Sequence, residues 1–492
     1  MNGGHNDLSW GALIFWATIA AAIGLAILGQ RRTRNASEFY TAGGHVGGVT
    51  NGIAISAEFT SAASLLGVIA LFHRFGVDAL VYSLSTCIGF AFVFFFLAER
   101  FRELGSFSMA DVLASRFHSV RLRRLCAISN LAIITFYLVS QFVGAAKLTG
   151  LVVGLDFAAA LLLFGLLVIA FVALGGMAAA TWVQVAKAVL FVVGLTLLSA
   201  AVLIPYNFDL TALVRAASAA HPMQTGFLSP GHMLPDAGAA LSLALSLTFG
   251  IAGLPHIFMR LGTVATPRAA RQSLRVATLI ISFVIATYLI LSLAAIVHVA
   301  PGSTFMDRAG IVLGGDNLVF LHLVTAIGGG TLLAIVGGAL VATILAVVAG
   351  LVLAGVSALA HDLRGGTDTQ ARAPGLLAER LCTVAVVGFA ALVAWAFREQ
   401  QIGFTVSLAF AIAACANFPL LFLSLRWPDL TEAGAFWGGA AGLSAAVILI
   451  LLGPSVWTDV LGLGDAPFAL REPALIALPL AFVTAFLMSR RR

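Results

Sequence analysis

Glu58 sits in the middle of an apolar stretch, GGVTNGIAISAEFTSAASLLGVIALF (residues 47–72), with Ser56, Thr60, Ser61 and Ser64 around it. A charge at the centre of a membrane helix costs about 2.5–3.5 kcal/mol on insertion scales, so an acid kept there points to a cation or proton site. A structural hydrogen bond to the ninth apolar segment (330–360) or to Lys187 is the alternative. Lys187 and Lys147 are the chain's two lysines, beside 25 arginines. Lys187 lies inside its own apolar stretch. Its flexible stem can carry the ammonium to the membrane surface, or a desolvated ammonium can load and release a proton.

A second stretch, LSLTFGIAGLPHIFMRLG (245–262), gathers Gly250, Gly253 and Pro255 near its centre. Proline removes a backbone donor and clashes with the preceding turn, so a helix breaks there. Broken backbone is tolerated inside a membrane only where it lines a cavity or is packed in protein. His256 follows the break and can donate a hydrogen bond or titrate. Asn417-Phe418-Pro419 reads as a bend or gate, or simply as a proline kink.

The elements that hold these residues must be membrane helices. Of the 492 residues, 61% are hydrophobic and 10% charged, and the mean hydropathy is +1.05. Soluble domains carry about 25% charged residues, so most of this surface must face lipid. A soluble enzyme, a nucleic-acid binder and a disordered scaffold are excluded. A crossing helix needs about 20 apolar residues. Thirteen segments meet that need: 8–29, 48–72, 77–98, 125–150, 154–175, 180–205, 238–260, 274–299, 330–360, 377–397, 402–424, 433–452 and 471–489. Loops on one side then hold twenty of the 27 cations, including Arg31, Arg100, Arg121, Arg260, Arg364 and Arg490. By the positive-inside rule that side is cytoplasmic, with the N-terminus outside and the C-terminus in the cytoplasm. The first segment reads as a retained helix, not a cleaved leader. Residues 99–124 and 261–273 are expected to carry short interfacial helices, while 206–236 and 300–329 are expected outside as vestibule caps.

The two interrupted segments stand five spans apart. That spacing fits inverted five-helix repeats, at 48–205 and 238–424, with an extra N-terminal helix (8–29) and two C-terminal helices (433–489) in one transporter domain, 1–492. In such folds the substrate lies at mid-membrane between the breaks, where half-helix termini face charge. Cys87, Cys126, Cys382 and Cys415 show no CxxC and read as small buried hydrophobes. There is no phosphate loop, HExxH or GxSxG, so no catalysis is expected, and no cofactor is called for.

The stretches AISAEFTSAASLLG (54–67), FSMADVLASRF (107–117), FYLVSQFVGAAKL (136–148), GGMAAATWVQVAKAVL (175–190), GIAGLPHIFMRLGTV (250–264), ATILAVVAGLVLAGVSALAHDL (342–363) and LAFAIAACANFPLLFLSLRW (408–427) resemble the sodium:solute symporter family. Within it, GLPHIFMR is similar to the acetate (cation/monocarboxylate) permease branch. The resemblance implies an all-α LeuT-type fold and symport of a small organic solute with a cation. It implies a site lined by the second, fourth, seventh and eleventh spans. It also implies a sodium ion, the metal here, held by the backbone carbonyls of Ala57 and Thr60 and by hydroxyls of the ninth span. The sequence departs there: the hydroxyl positions read Ala346 and Val347, Thr343 lies one turn earlier, and the acid position of the sixth span reads Gln184, one turn before Lys187. Hard sodium wants oxygen ligands, so the coupling ion is Na⁺ or H⁺.

Under this resemblance the cation-coupling residues are Ala57, Glu58, Thr60, Gln184, Lys187 and Thr343. The substrate residues are Ser56, Ser61, Ser64, Gln141, Gly250, Gly253 and Pro255, since a monocarboxylate needs a few donors, and no arginine is expected at a span centre. The expected protein is a multi-pass symporter of a bacterial cytoplasmic membrane that carries acetate, propionate, lactate or pyruvate inward. A transporter-fold sensor with a separate partner, or a symporter of another solute such as proline, remains as the alternative. The partners are the solute and membrane lipid, not nucleic acid; the oligomeric state, including a homo-oligomer, is left open.

Overall fold

A computed structural model describes residues 46–104, 109–174, 177–363 and 376–490, with scattered positions between 13 and 24. In chain order its principal helices are α1 (Gly48–Phe59), α2 (Ala62–Phe75), α3 (Leu80–Phe96), α4 (Met109–Phe117), α5 (Val120–Val153), α6 (Phe157–Leu174), α7 (Met177–Leu203), α8 (Leu210–Ala220), α9 (Ala237–Ile251), α10 (Pro255–Leu261), α11 (Pro267–His298), α12 (Val319–Ser357), α13 (Leu376–Ala396), α14 (Ile402–Ile412), α15 (Phe418–Arg426), α16 (Glu432–Leu452) and α17 (Ala474–Arg490). Among the described residues there is no strand, only a single bridge between Met306 and Val312.

Both expected breaks are present. Helix α1 stops at Phe59, and Ser61 caps α2 by accepting a 3.2 Å hydrogen bond from the Ser64 amide. A serine in that place satisfies one of the amides a helix start leaves open. Helix α9 stops at Ile251, Leu254 is extended, and Pro255 opens α10. Proline suits the first helical position because the N–H it lacks would have no partner there.

Nine helical runs among the described residues are long and apolar enough to cross a membrane. Of the thirteen expected segments, 8–29 lies mostly outside the described residues. Segments 154–175 and 471–489 appear as shorter apolar helices, and the second and third segments share the run Ser64–Phe96. A turn at Gly76 divides that run: its φ is +65°, and a Cβ there would collide with the Phe227 backbone. One expectation needs correction. Residues 261–273 form no helix of their own, because Pro267 starts α11 directly. Within 300–329, α12 begins at Val319 and bends at Gly328 and Gly329, where the expected segment 330–360 starts. Residues 99–124 do carry the short helix α4.

Burial separates centre from periphery. In the most apolar 18-residue stretch of Ile402–Arg426 83% is buried and in that of Val120–Val153 72%, whereas in that of Ala378–Ala396 only 22% is, so its apolar side chains face outward. Small residues let helices approach where the core is densest. Gly434, Gly438 and Gly442 recur every fourth residue along α16, and a Cβ at Gly438 would stand 2.6 Å from the Ala485 methyl of α17. The same device holds α1 to α11, where a Cβ at Gly52 would meet the Ser273 carbonyl. The four cysteines are free thiols.

Candidate functional site

The joint between α1 and α2 opens onto a cavity of about 40 Å³ whose lining includes Ser61, Ser64, Tyr82, Thr86, Tyr137 and Tyr288. Its wall is almost wholly apolar, with Phe59, Leu247, Ile285 and Phe410 among the lining residues, and the hydroxyl residues supply the little polar surface there is. Ser64 donates to the Ser61 carbonyl at 2.8 Å and lies 3.3 Å from the Tyr288 hydroxyl. Gln141 of α5 stands behind the cavity wall and donates from Nε2 to Ser61 Oγ at 3.4 Å. Its Oε1 is buried without a hydrogen bond. Ser56 points elsewhere: its hydroxyl bonds the Ile53 carbonyl of its own helix at 2.7 Å.

Beneath the cavity lies a charged layer. Lys187 of α7 donates from Nζ to the Ala57 carbonyl at 2.5 Å and stands 3.4 Å from Gln184 Oε1. Gln184 in turn donates to the Ala346 carbonyl of α12 at 3.1 Å. The lysine therefore does not snorkel; it is buried, and its ammonium is fixed against the last turn of α1. Thr60 returns its hydroxyl to the Ser56 carbonyl at 2.7 Å, and Thr343 is buried on α12.

The partner of Glu58 is Arg260. The guanidinium reaches Glu58 Oε1 with Nε at 2.9 Å and Nη2 at 2.8 Å. Both side chains are buried, at 1% and 3% exposure. This corrects two expectations. Arg260 is no loop cation, and an arginine does stand inside the helical bundle; the acid pairs with it rather than with Lys187 or α12. The other carboxylate oxygen, Oε2, is buried without a hydrogen bond. Asn51 secures the pair from below, donating to the Arg260 carbonyl at 3.0 Å and accepting from Thr263 at 3.0 Å. The α1 and α10 halves are thus tied together on the Arg-rich side.

The second break packs against α14 and the turn after it. A Cβ at Gly250 would stand 2.5 Å from the Phe410 carbonyl, and one at Gly253 would strike the Ala413 backbone. Asn417 ends a π-helical turn, Ala413–Asn417, just ahead of Pro419. Its Nδ2 donates to the Gly253 carbonyl at 2.9 Å and to Asn130 Oδ1 at 2.8 Å, while its Oδ1 accepts from Ser129 at 2.5 Å. The motif is a bridge from the second break to α5. His256 is buried, and its ring meets Tyr137 edge-on at 5.4 Å.

The structure brings Ser61, Ser64 and Gln141 together at the cavity, and Ala57, Gln184 and Lys187 at the ammonium. It places Gly250, Gly253 and Pro255 in helix packing behind the cavity. Sequence reasoning missed Arg260 and the tyrosines. A signal existed for the latter: the chain has five tyrosines, and Tyr82, Tyr137 and Tyr288 all face one cavity. For Arg260 the signal was Glu58 itself, since a buried acid implies a buried cation. Among the described residues no group of three or more His, Cys, Asp or Glu gathers as a metal cluster.

The fold is similar to that of a Na⁺-coupled sialic acid symporter in its substrate-bound outward-open state, at 15% identity, with 97% of this chain and 96% of that one covered and a TM-score of 0.72. It is more distantly similar to a manganese transporter of Eremococcus coleocola (14% identity, 94% and 97% covered, TM-score 0.49) and to Mhp1 in its inward-facing conformation (14% identity, 98% and 89% covered, TM-score 0.42). The first of these likenesses shows an all-helical transporter fold of the LeuT type. The profile of the sodium:solute symporter family matches residues 39–442, which is most of the chain, and on that match the chain belongs to the sodium:solute symporter family.

Proposed function

We propose that this symporter carries a small monocarboxylate (acetate, propionate, lactate or pyruvate) inward by alternating access, with 48–205 and 238–424 as its two repeats. The observation that carries the reading is the cavity of about 40 Å³ beside the first break, an almost wholly apolar space whose lining includes Ser61, Ser64 and Tyr288. A space that small admits a solute of a few heavy atoms. Hydroxyl donors with apolar walls suit a short anion, which needs orientation more than a strong counter-charge. Arg260 is already committed to Glu58 and leaves the cavity without a clamp for a second acidic group.

The family implies sodium as the driving ion. Lys187 supports a proton at this particular position, because its ammonium already holds the Ala57 carbonyl that a sodium ion would need. The pair Glu58–Arg260 then serves as the latch between α1 and α10 that must open toward the Arg-rich, cytoplasmic face. The test is uptake of labelled acetate and pyruvate into proteoliposomes with Na⁺ and pH gradients imposed independently. Concentrative uptake supports the reading. Uptake that needs Na⁺ at every pH rejects proton coupling, and absence of uptake for all four acids rejects the substrate class.

A further inference from the structure

Glu472 is a second buried acid, far from Glu58 in sequence. It stands just before α17, at the Arg-poor end of the bundle, and is 5% exposed. Its backbone is pinned: Ser242 of α9 donates to the Glu472 carbonyl at 2.6 Å and accepts from the Leu475 amide at 3.1 Å. Its carboxylate turns inward against α14, where Ser407 meets Oε1 in a very short contact. The other oxygen, Oε2, is buried without a hydrogen bond.

The neighbouring cation does not neutralise it. Arg471 pairs with Asp459 at 2.6 Å and lies over the Phe404 ring at 4.7 Å. The remaining groups that face Glu472 are Tyr82 from α3, Cys415 from the π-helical turn and the Ser246 hydroxyl from α9. None of these carries positive charge, and an unpaired buried carboxylate is costly.

The Ser407 hydroxyl accommodates either state of the acid and favours the protonated one. Ser407 Oγ also contacts the Phe404 carbonyl at 2.9 Å. A hydroxyl has one hydrogen to donate. With an ionised Glu472, the one Ser407 hydrogen is divided between the carboxylate and the Phe404 carbonyl, which also accepts within α14. With a protonated Glu472, the acid can donate to Ser407 and leave the Ser407 hydrogen to Phe404, while Oε2 stays without a hydrogen bond in both states. Burial also pushes the carboxyl up to about 7.

Glu472 lines a cavity of about 310 Å³ together with Tyr82, Asp236, Phe404 and Arg471. Tyr82 also lines the central cavity, so its side chain is shared by the walls of the two spaces. We propose that Glu472 is a proton-binding site on the path from the Arg-poor face to the central cavity. Its protonation removes a negative charge from the wall past which an anionic solute must move, so proton loading precedes solute loading. That last step rests on the monocarboxylate reading; the proton site does not.

The experiment has two arms. Infrared difference spectra of the purified protein, titrated from about pH 5 to about pH 9, read the protonated carboxyl directly. A component that titrates near neutral pH in the wild type, vanishes in Glu472→Gln and is displaced in Glu472→Asp supports the site. The aspartate variant decides alone if the glutamine variant fails to fold. A component that neither substitution alters, or that saturating Na⁺ removes at fixed pH, overturns it. The second arm is labelled acetate uptake with the inner pH held constant. Wild-type uptake should change about tenfold as the outer pH crosses the carboxyl midpoint, and Glu472→Gln should change less than about twofold. No acetate uptake with the infrared component intact would defeat the substrate reading while upholding the proton site.

Discussion

The ammonium of Lys187 lies 2.5 Å from the carbonyl oxygen of Ala57, in the last turn of the first broken helix. A helix that ends inside a membrane leaves carbonyls without intrahelical partners, and something positive must meet them. Here a side chain from α7 does so. Gln184, one turn earlier, fixes the stem by linking Lys187 to α12.

Lys187→Ala should therefore expose the Ala57 carbonyl and reduce uptake. A hydrogen bond to a charged group is worth about 1.5–3 kcal/mol, which corresponds to about tenfold or more in rate or affinity. The informative readout is coupling, not rate. Proton flux per solute and the pH profile of uptake should both change, and Na⁺ dependence should rise as the vacated carbonyl becomes available. Unchanged proton flux with an unchanged pH profile would sink the role given to Lys187.

The ion pair Glu58–Arg260 yields a prediction about stability. Both partners are buried, so removing one takes the counter-charge away from the other. Glu58→Gln and Arg260→Gln should each lower stability by about 3–5 kcal/mol, and a double replacement by apolar residues of similar volume should cost less than their sum. Thermal unfolding of the detergent-purified variants, arranged as a double-mutant cycle, measures this. Gly350 of α12 makes a related point, because a Cβ there would stand 2.9 Å from Glu58 Oε1. Gly350→Ala should overpack the pair and cost about 1–3 kcal/mol. Strict additivity in the cycle would show that the two charges do not depend on each other.

The helical scaffold was legible in the sequence because lipid imposes apolar stretches of nearly fixed length, and the breaks were legible because proline and glycine mark them locally. Glu58 and Lys187 stood out because a charge inside such a stretch is rare. Arg260 did not stand out: it sits near the end of its apolar stretch, where a cation reads as a loop residue. Its burial depends on how α10 turns after the break, which no local pattern encodes. The roles of Gly250 and Gly253 were hidden for the same reason, since their neighbours, Phe410 and Ala413, lie about 160 residues away along the chain. Proline and glycine locate a break; whether it faces a cavity or a packed helix is settled by tertiary contact.

Asn417 joins that tertiary contact with three hydrogen bonds, to Gly253, Asn130 and Ser129. Asn417→Ala should leave the buried Gly253 carbonyl unsatisfied and cost about 1–3 kcal/mol. Asn417→Asp should be worse, because it keeps the size but sets a carboxylate against two acceptors, a buried charge with the Ser129 hydroxyl as its one remaining donor. Unfolding midpoints ranked wild type, alanine, aspartate would bear this out. An aspartate variant as stable as the wild type would mean that the bridge is absent in the membrane.

Asp362 gives a pH dependence with a definite sign. It closes the π-helical turn Ala358–Asp362 after α12, at the Arg-rich end. Burial pushes its carboxyl up to about 7; Asp111 adds to the push and Arg123 opposes it. In an unfolded chain an aspartate titrates near about 3.9. The folded state therefore holds the proton more tightly than the unfolded state does. The stabilising share is complete below about pH 4 and is lost as pH rises through about 7. The unfolding temperature of the purified protein should fall between about pH 4 and about pH 7 from this group, and Asp362→Asn should remove that part of the fall. The asparagine variant would then be the more stable protein at about pH 8 and would have no advantage at about pH 4. A variant whose curve runs parallel to the wild type across this range would show that Asp362 is solvated in both states.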